Sequence, residues 1–245
     1  MNLDNLYSLK GFNRKRIELN RKVPKDIKNE PRILLQEALL NVHIKEYKKA
    51  IRILKENQFH PWEGWTRAHE IWILAHIGEG LKLFKKEEFE GALFHFKEAT
   101  KYPENLGTGA PAKIVDPRAY YLIGLCYEGE EDTAQAIKFW KKTLEQPIRV
   151  KSGNEGGKGS SKVDEETYYK SLALRKLGKK SEANKLLKRL INIGSVEKPP
   201  GSRTLYLVGL GYLGLGKEDE AQSFFKRALK EEPDLIEAKW QLDML

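Results

Sequence analysis

The sequence contains little of what secreted or membrane-spanning proteins need. A single cysteine, Cys126, occurs among 245 residues, so no internal disulfide can form, which suits a reducing compartment. No stretch approaches the roughly 18 to 20 consecutive apolar residues of a membrane-spanning helix. The first residues also lack the basic stretch and apolar run of a secretory signal peptide. We therefore expect a cytoplasmic protein with no membrane contact.

Long stretches with charge of only one sign are also lacking, although the net charge is +9. The 44 lysine and arginine residues are mixed along the chain with 35 aspartate and glutamate residues. The densest basic stretch runs from Lys10 to Lys28, and even there Glu18 and Asp26 intervene. Mixed signs are typical of a solvated surface, whereas a basic patch can bind nucleic acid. We predict a solvated surface, and keep nucleic-acid binding by a basic N-terminal arm, residues 1–30, as an alternative.

Residue patterns that carry catalysis or hold metals and cofactors are absent. His69 and Glu70 begin like a zinc-protease motif, but the required histidine four residues after the first is missing. No local base accompanies Cys126 to make it a nucleophile. The glycine-rich stretch 153–162 lacks the spacing of a phosphate-binding loop. We predict no catalytic site, no metal site and no cofactor, and expect His76 and Cys126 to pack inside the fold.

What the chain does contain is a repeated pattern of small and large apolar residues. The clearest copy comprises Leu205, Val208, Gly209, Tyr212, Gly216, Ala221, Phe225, Ala228 and Pro233. Its apolar members are spaced so that each of two helices shows one apolar stripe. Gly209 and Ala221 are small because the two backbones must approach where the helices cross, and Gly216 can close the first helix. This pattern is typical of the tetratricopeptide repeat, with an aliphatic residue in place of the usual tryptophan.

The pattern occurs five times along the chain. Its marker alanines are Ala50, Ala92, Ala136, Ala183 and Ala221. We predict an all-α fold, an α-solenoid of about five tetratricopeptide-like helical hairpins over residues 31–245, which ends in a capping helix. The marker alanines lie 42, 44, 47 and 38 residues apart, whereas an ordinary repeat has about 34 residues. We expect the extra residues in long loops between the hairpins, at 57–65, 102–116, 147–163 and 193–201.

These long loops indicate a second candidate surface, because insertions on one edge of a helical stack often mark a working face. Its candidate residues are Trp62, Glu63, Trp65 and Asn105. Two tryptophans around a carboxylate can stack on a sugar ring. They can equally fill the junction between the first two hairpins and bury a large apolar area. The sequence favours the second interpretation and leaves the first open.

The same loops carry a narrower resemblance. Residues 59–64 are FHPWEG and residues 102–107 are YPENLG, followed by the pair Tyr168 and Tyr169 and by YLGLGK at 212–217. In this order the chain resembles the C-terminal tetratricopeptide region of large, poorly characterised bacterial proteins that carry a galactose-mutarotase-like domain. As an alternative function, the resemblance implies an accessory helical region or subunit of a carbohydrate-active bacterial protein, with a mutarotase-like or glycosidase-like domain as its partner. It implies no activity for this sequence, which does not contain that domain.

The first helix of each hairpin lines the groove with which such repeats usually bind. The positions that do not face the hairpin interior hold Arg118, Tyr121, Tyr168, Arg175, Arg203 and Tyr206. Arginine and tyrosine suit partner recognition because both offer large area and directed hydrogen-bonding groups. Where chaperone-tail repeats place a lysine and asparagine clamp, this chain has Tyr121 and Leu125. We predict a protein or peptide partner other than a chaperone tail. The tyrosines can instead pack between neighbouring repeats.

Overall fold

The computed structural model describes residues 3–60, 67–107, 116–146, 164–196 and 199–245. Within these ranges it contains thirteen α-helices and one short 3-10 helix, Glu104–Leu106, and no strand. The helices are α1 Leu3–Leu9, α2 Asn13–Arg21, α3 Pro31–His43, α4 Tyr47–Glu56, α5 Arg67–Phe84, α6 Phe89–Glu98, α7 Pro117–Gly129, α8 Thr133–Glu145, α9 Glu165–Lys176, α10 Lys180–Val196, α11 Ser202–Gly214, α12 Glu218–Glu231 and α13 Ile236–Met244. The predicted all-α fold is confirmed.

Ten of these helices form the five predicted hairpins. The pairs are α3 with α4, α5 with α6, α7 with α8, α9 with α10 and α11 with α12. Each marker alanine is fully buried in the second helix of its pair. Gly216 has a φ of +77° just after α11, the left-handed conformation expected at a helix end. The repeat pattern therefore predicted both the number of hairpins and the residues at which their helices meet.

The close approach inside a hairpin is clearest at Gly209 on α11. A Cβ atom added there would lie 2.6 Å from the ring of Phe225 and 3.3 Å from the carbonyl oxygen of Ala221. Phe225 is fully buried and cannot move aside. Gly124 meets Trp140, and Gly80 meets Phe96, in the same way. Glycine at these positions lets the two helices of a hairpin touch.

We expect Gly209→Ala to lower the free energy of unfolding by about 1–3 kcal/mol, because the new methyl group overpacks the helix crossing. This loss would exceed the helix-propensity gain of up to about 1 kcal/mol that alanine brings. Urea denaturation measures the change. Gly91→Ala is the control, since its added Cβ meets only the end of the Leu83 side chain, at 3.2 Å. Equal stabilities of the two variants would contradict the close approach at Gly209.

The chain divides into two compact units. Unit 1 comprises Met1–Pro111 and Glu232–Trp240, and unit 2 comprises Ala112–Glu231 and Gln241–Leu245. Helices α1 to α6 belong to unit 1 and helices α7 to α12 to unit 2. The sequence predicted a different division, into an arm at 1–30 and a solenoid at 31–245. That division stays a prediction.

The stretch predicted as a basic arm, residues 1–30, contains α1 and α2 in its described part, and α2 packs on α3 within unit 1. Arg16 on α2 is only 1% exposed, unlike the other basic residues of this stretch. The predicted capping helix is α13, whose sequence pattern places Ala238 and Leu242 on the same face as Leu235, the residue just before it. The structure buries Leu235 and Ala238 but leaves Leu242 half-buried, and it buries Trp240 instead. The indole of Trp240 donates a hydrogen bond to the hydroxyl of Tyr47, at 2.8 Å.

The predicted loops differ in part from the observed connections. Helix α10 extends to Val196, so the first four residues of the predicted loop 193–201 are helical. Part of the extra length of the second repeat lies in α5, which has 18 residues. In the described part of the chain, no helix has both the length and the apolar composition needed to cross a bilayer.

Candidate functional site

The six predicted groove residues all lie in unit 2, on its three first helices. Helix α7 carries Arg118 and Tyr121, helix α9 carries Tyr168 and Arg175, and helix α11 carries Arg203 and Tyr206. Arg175 and Arg203 are exposed, whereas the other four are buried and Tyr206 is completely enclosed. The sequence therefore selected residues of the first helices, but four of the six are buried in the fold.

Three of these side chains converge on Glu165, which the sequence analysis did not identify. The hydroxyl of Tyr206 donates to Oε1 of Glu165 at 2.8 Å. Arg118 Nη1 approaches the same oxygen at 3.4 Å, and Arg203 Nη2 bonds to Oε2 at 3.1 Å. Arg118 Nη2 also donates to Asp116 Oδ2 at 2.9 Å. We call Asp116, Arg118, Glu165, Arg203 and Tyr206 the Glu165 cluster.

The beginnings of three helices assemble this cluster. Asp116 caps α7 by accepting a hydrogen bond from the backbone N–H of Arg118, at 2.9 Å. Asp164 caps α9 by accepting from the backbone N–H of Thr167, whose hydroxyl lies near the Asp164 N–H in return. Glu165 is therefore in the first turn of α9, where the helix dipole favours a carboxylate. An acidic first turn after a capping aspartate is the sequence signal that could have identified it.

Charge within the cluster is balanced, and its exposure is uneven. Two carboxylates face two guanidinium groups, so the formal charges cancel. The side chains of Arg118 and Glu165 are 8% and 12% exposed, whereas that of Arg203 is 48% exposed. A buried ion pair needs such pairing and hydrogen bonding, because desolvation of either charge alone is costly. The inner part of the cluster therefore holds α7 and α9 together, and Arg203 is the part that a partner can reach.

Three tyrosines pack beside the cluster. The ring centroids of Tyr121 and Tyr169 are 5.9 Å apart, and those of Tyr168 and Tyr169 are 5.2 Å apart. Burial raises the pKa of all three hydroxyl groups above the ordinary value for tyrosine, so they remain protonated. The contact between Tyr121 and Tyr169 joins the first helices α7 and α9, whereas Tyr168 and Tyr169 both lie on α9. For Tyr121, this is the packing between neighbouring repeats that the sequence analysis left open.

Arg175 lies at the other end of α9 and makes a different contact. Its Nη1 donates to the carbonyl oxygen of Gly214, the last residue of α11. Carbonyl groups at a helix end have no partner within the helix, and a basic side chain can satisfy one of them. Arg175 therefore links the end of α9 to the end of α11 while much of its side chain remains exposed.

The second predicted surface is only partly described. Trp62, Glu63 and Trp65 lie outside the described residues, and Asn105 lies within them. The side-chain amide N–H group of Asn105 donates to the backbone carbonyl oxygens of Leu54 and Asn57, both at 2.7 Å. The backbone carbonyl oxygen of Asn105 accepts from the backbone N–H of Phe59 at 2.7 Å. Asn105 thus fixes the end of α4 and the following residues against the 3-10 helix.

The predicted packing of His76 and Cys126 is observed, since both are buried. His76 Nδ1 and His95 Nδ1 are 3.0 Å apart, and the ring of Trp72 lies against His76. Burial lowers the pKa of His76 to about 3, so this imidazole is neutral at physiological pH. Within the described ranges, no group of three or more histidine, cysteine or carboxylate side chains is arranged to hold a metal ion.

Comparison with known families identifies two of the five hairpins. Residues 118–146 and residues 202–235 each match a model described as Tetratricopeptide repeat. These segments cover α7 with α8 and α11 with α12. The chain contains tetratricopeptide repeats. No curated protein matches the chain.

Solved structures similar to this chain include that of MamA, which is 21% identical with a TM-score of 0.38 over 95% of this chain and 96% of that one. YrrB, described as a TPR protein with an unusual peptide-binding site, is 17% identical with a TM-score of 0.33, over 92% and 98% of the two chains. The C-terminal part of a TPR repeat-containing protein from Cytophaga hutchinsonii is 14% identical with a TM-score of 0.28, over 98% of each chain.

Proposed function

We propose that this chain is a non-catalytic scaffold that binds a protein or peptide partner on the first-helix face of unit 2. The Glu165 cluster carries the proposal. Arg203 is bonded to Glu165, and its guanidinium also lies over the ring of Tyr206, 5.1 Å from the centroid. An arginine that is anchored in this way and still 48% exposed loses little side-chain freedom when a partner binds.

The chemistry of this face indicates the kind of segment it binds. Its two exposed predicted residues, Arg175 and Arg203, are both arginines. Guanidinium groups bond carboxylates through two parallel N–H groups, and they also bond backbone carbonyl oxygens. A partner segment with acidic side chains at the spacing of Arg175 and Arg203 fits this face. The buried tyrosines beneath give it a rigid base.

Site-specific crosslinking tests this proposal. A photoreactive phenylalanine is placed at Arg203, at Arg175 or at Arg227, and the full chain is irradiated in lysate of its source cell. Arg227 is the matched control, because it is an exposed arginine of the same unit that lies over the ring of Phe224 on a second helix. We expect one partner to crosslink from Arg203 and Arg175 and not from Arg227, with mass spectrometry identifying the captured segment.

The affinity of that segment then distinguishes the site from a chance neighbour. We expect Arg203→Ala to weaken its binding by about tenfold, since a charge-assisted hydrogen bond contributes about 1.5–3 kcal/mol. Arg227→Ala should leave the affinity unchanged. Arg118 and Tyr206 are unsuitable for this test, because both are buried and their loss would disturb the fold. Equal crosslinking from all three positions would place the partner elsewhere.

The other interpretations of the sequence remain predictions. The link to a carbohydrate-active domain depends on Trp62, Glu63 and Trp65, which lie outside the described residues, and the amide of Asn105 is engaged by backbone carbonyls. Nucleic-acid binding depends on the basic stretch 1–30, in which Arg16 is buried. The cytoplasmic location depends on the single cysteine.

A further inference from the structure

Helix α1 and the turn after it expose an unusual amount of apolar surface. Leu3, Leu6, Leu9 and Phe12 are each between 44% and 53% exposed. The spacing of three residues places the leucines along one side of α1. Single exposed apolar residues are common on proteins, but a contiguous group within ten residues indicates a contact surface. We call these four residues the N-terminal apolar face.

Most of the exposed charged side chains that follow this face in the chain are basic. Between Lys10 and Lys28, seven lysine and arginine side chains are exposed, against two exposed acidic ones, Glu18 and Asp26. None of the seven forms an ion pair with another described residue. Lys15 Nζ lies 5.1 Å from the ring centroid of Phe12, so the charge adjoins the apolar surface directly.

A concavity lies between α1, α2 and α3, where Asp4 is the α1 residue that lines it and Asn20 and Gln36 are its other polar lining residues. It has a volume of about 40 Å³, and its apolar lining comes from Leu19, Val23, Ile33 and Leu40. Since one water needs about 10–15 Å³ measured in this way, the concavity has room for the end of an aliphatic side chain. A partner with a protruding side chain can use this concavity, whereas a flat bilayer surface cannot.

Charge and shape together select one occupant. A second copy of this chain would bring the same positive charge against the face, so like charges would oppose association. An amphipathic helix buries an apolar ridge on such a surface and places its flanking side chains beside the rim. We propose that the N-terminal apolar face binds an acidic amphipathic helix of a partner protein, with leucine-type side chains on the face and carboxylates beside the bordering lysines. This surface is in unit 1 and is independent of the Glu165 cluster.

Two synthetic helical peptides of about 18 residues test the proposal. Both carry the same leucine ridge at positions i, i+3, i+4 and i+7, one with glutamate and the other with lysine on the flanks. Fluorescence anisotropy with the full chain measures both affinities. We expect the glutamate peptide to bind at least about tenfold more tightly, because only its flanks oppose the bordering charge.

Variants locate the binding surface. Leu6→Ser combined with Leu9→Ser should lower the affinity for the glutamate peptide at least about tenfold, because the apolar contact of two half-exposed leucines is lost. Lys10→Glu with Lys15→Glu should remove most of the preference for the glutamate peptide, because five exposed basic side chains then face four acidic ones. Phe94→Ser is the matched control, because Phe94 is a 57% exposed apolar residue of unit 1 on α6, and it should bind as wild type. Circular dichroism melts check that each variant remains folded.

Four outcomes would overturn the proposal. They are equal affinity for both peptides, failure of both to bind, tighter binding to phosphatidylglycerol vesicles than to the glutamate peptide, and a dimer in sedimentation that the leucine substitutions dissociate. The third outcome would assign the face to anionic membranes. The fourth would assign it to a second copy of this chain.

Discussion

Asp4→Asn is expected to lower the free energy of unfolding by about 3 kcal/mol, because it leaves a buried guanidinium without its counter-charge. Arg16 is 1% exposed, and its Nε and Nη2 bond to the two oxygens of Asp4 at 2.9 and 3.2 Å. Its Nη1 contacts His43 Nδ1 at 2.8 Å, which supplies hydrogen bonding but no negative charge. Denaturant unfolding monitored by circular dichroism measures the loss.

Substitution of the other member of the ion pair, Arg16, is expected to lower the free energy of unfolding by less. Arg16→Met removes the charge that cannot reach water and leaves Asp4, whose side chain is 15% exposed and can be hydrated. The double variant Asp4→Leu with Arg16→Met should recover most of the loss of Asp4→Asn, because an apolar pair often replaces a buried ion pair without cost. Asp26→Asn, at an exposed aspartate of the same stretch, is the control and should stay within about 0.5 kcal/mol of wild type. An Asp4→Asn variant as stable as this control would show that the pair contributes little.

Acidification below about pH 6.5 is expected to destabilise unit 1 through two buried histidines. Burial, and then the charge of Arg16, lowers the pKa of His43 to about 4. Burial, and then His95, lowers the pKa of His76 to about 3. Lys239 also lowers the pKa of His43. Asp234 and Asp4 raise it, but their effect is smaller than that of burial.

Stability falls as the pH falls because the unfolded chain takes up protons on these histidines. Above about pH 6.5 both states hold neutral histidines and the full stability is present. As the pH falls, the unfolded chain binds protons that the folded chain excludes, so stability declines until the pH passes the folded pKa values, about 4 and about 3. At pH 5 the titration of each histidine has lowered the free energy of unfolding by about 2 kcal/mol, because one pKa unit corresponds to about 1.36 kcal/mol.

Stability measured from pH 7.5 to 4.5 checks this prediction, with His43→Gln and His76→Gln combined as the test variant. Carboxylates also titrate at the acidic end, so the informative quantity is the difference between wild type and variant. We expect the wild type to lose about 3–4 kcal/mol more than the variant by pH 5. His60→Gln, at an exposed histidine, should follow the wild type. Parallel curves for wild type and the double variant would contradict the prediction.

The sequence by itself determined the helical hairpins of this protein. Their number, their small crossing residues at Gly209 and Ala221, the left-handed Gly216 and the burial of Cys126 all follow from the periodicity of a helix and from backbone sterics. Each of these features depends on residues close together in the chain or on a spacing that recurs in every repeat. The same periodicity also selected the first helices that carry the candidate site.

Only the tertiary structure decided which side chains of that site meet. Glu165 bonds Tyr206 across 41 positions of sequence, Arg16 bonds His43 across 27, and Trp240 bonds Tyr47 across 193. A helical pattern indicates which side of a helix is polar, but it does not indicate which charge on another helix lies opposite. Arg118 and Arg16 are buried because carboxylates of the fold pair with them, whereas Arg203 remains exposed. A charge can leave water only where the fold supplies its counter-charge.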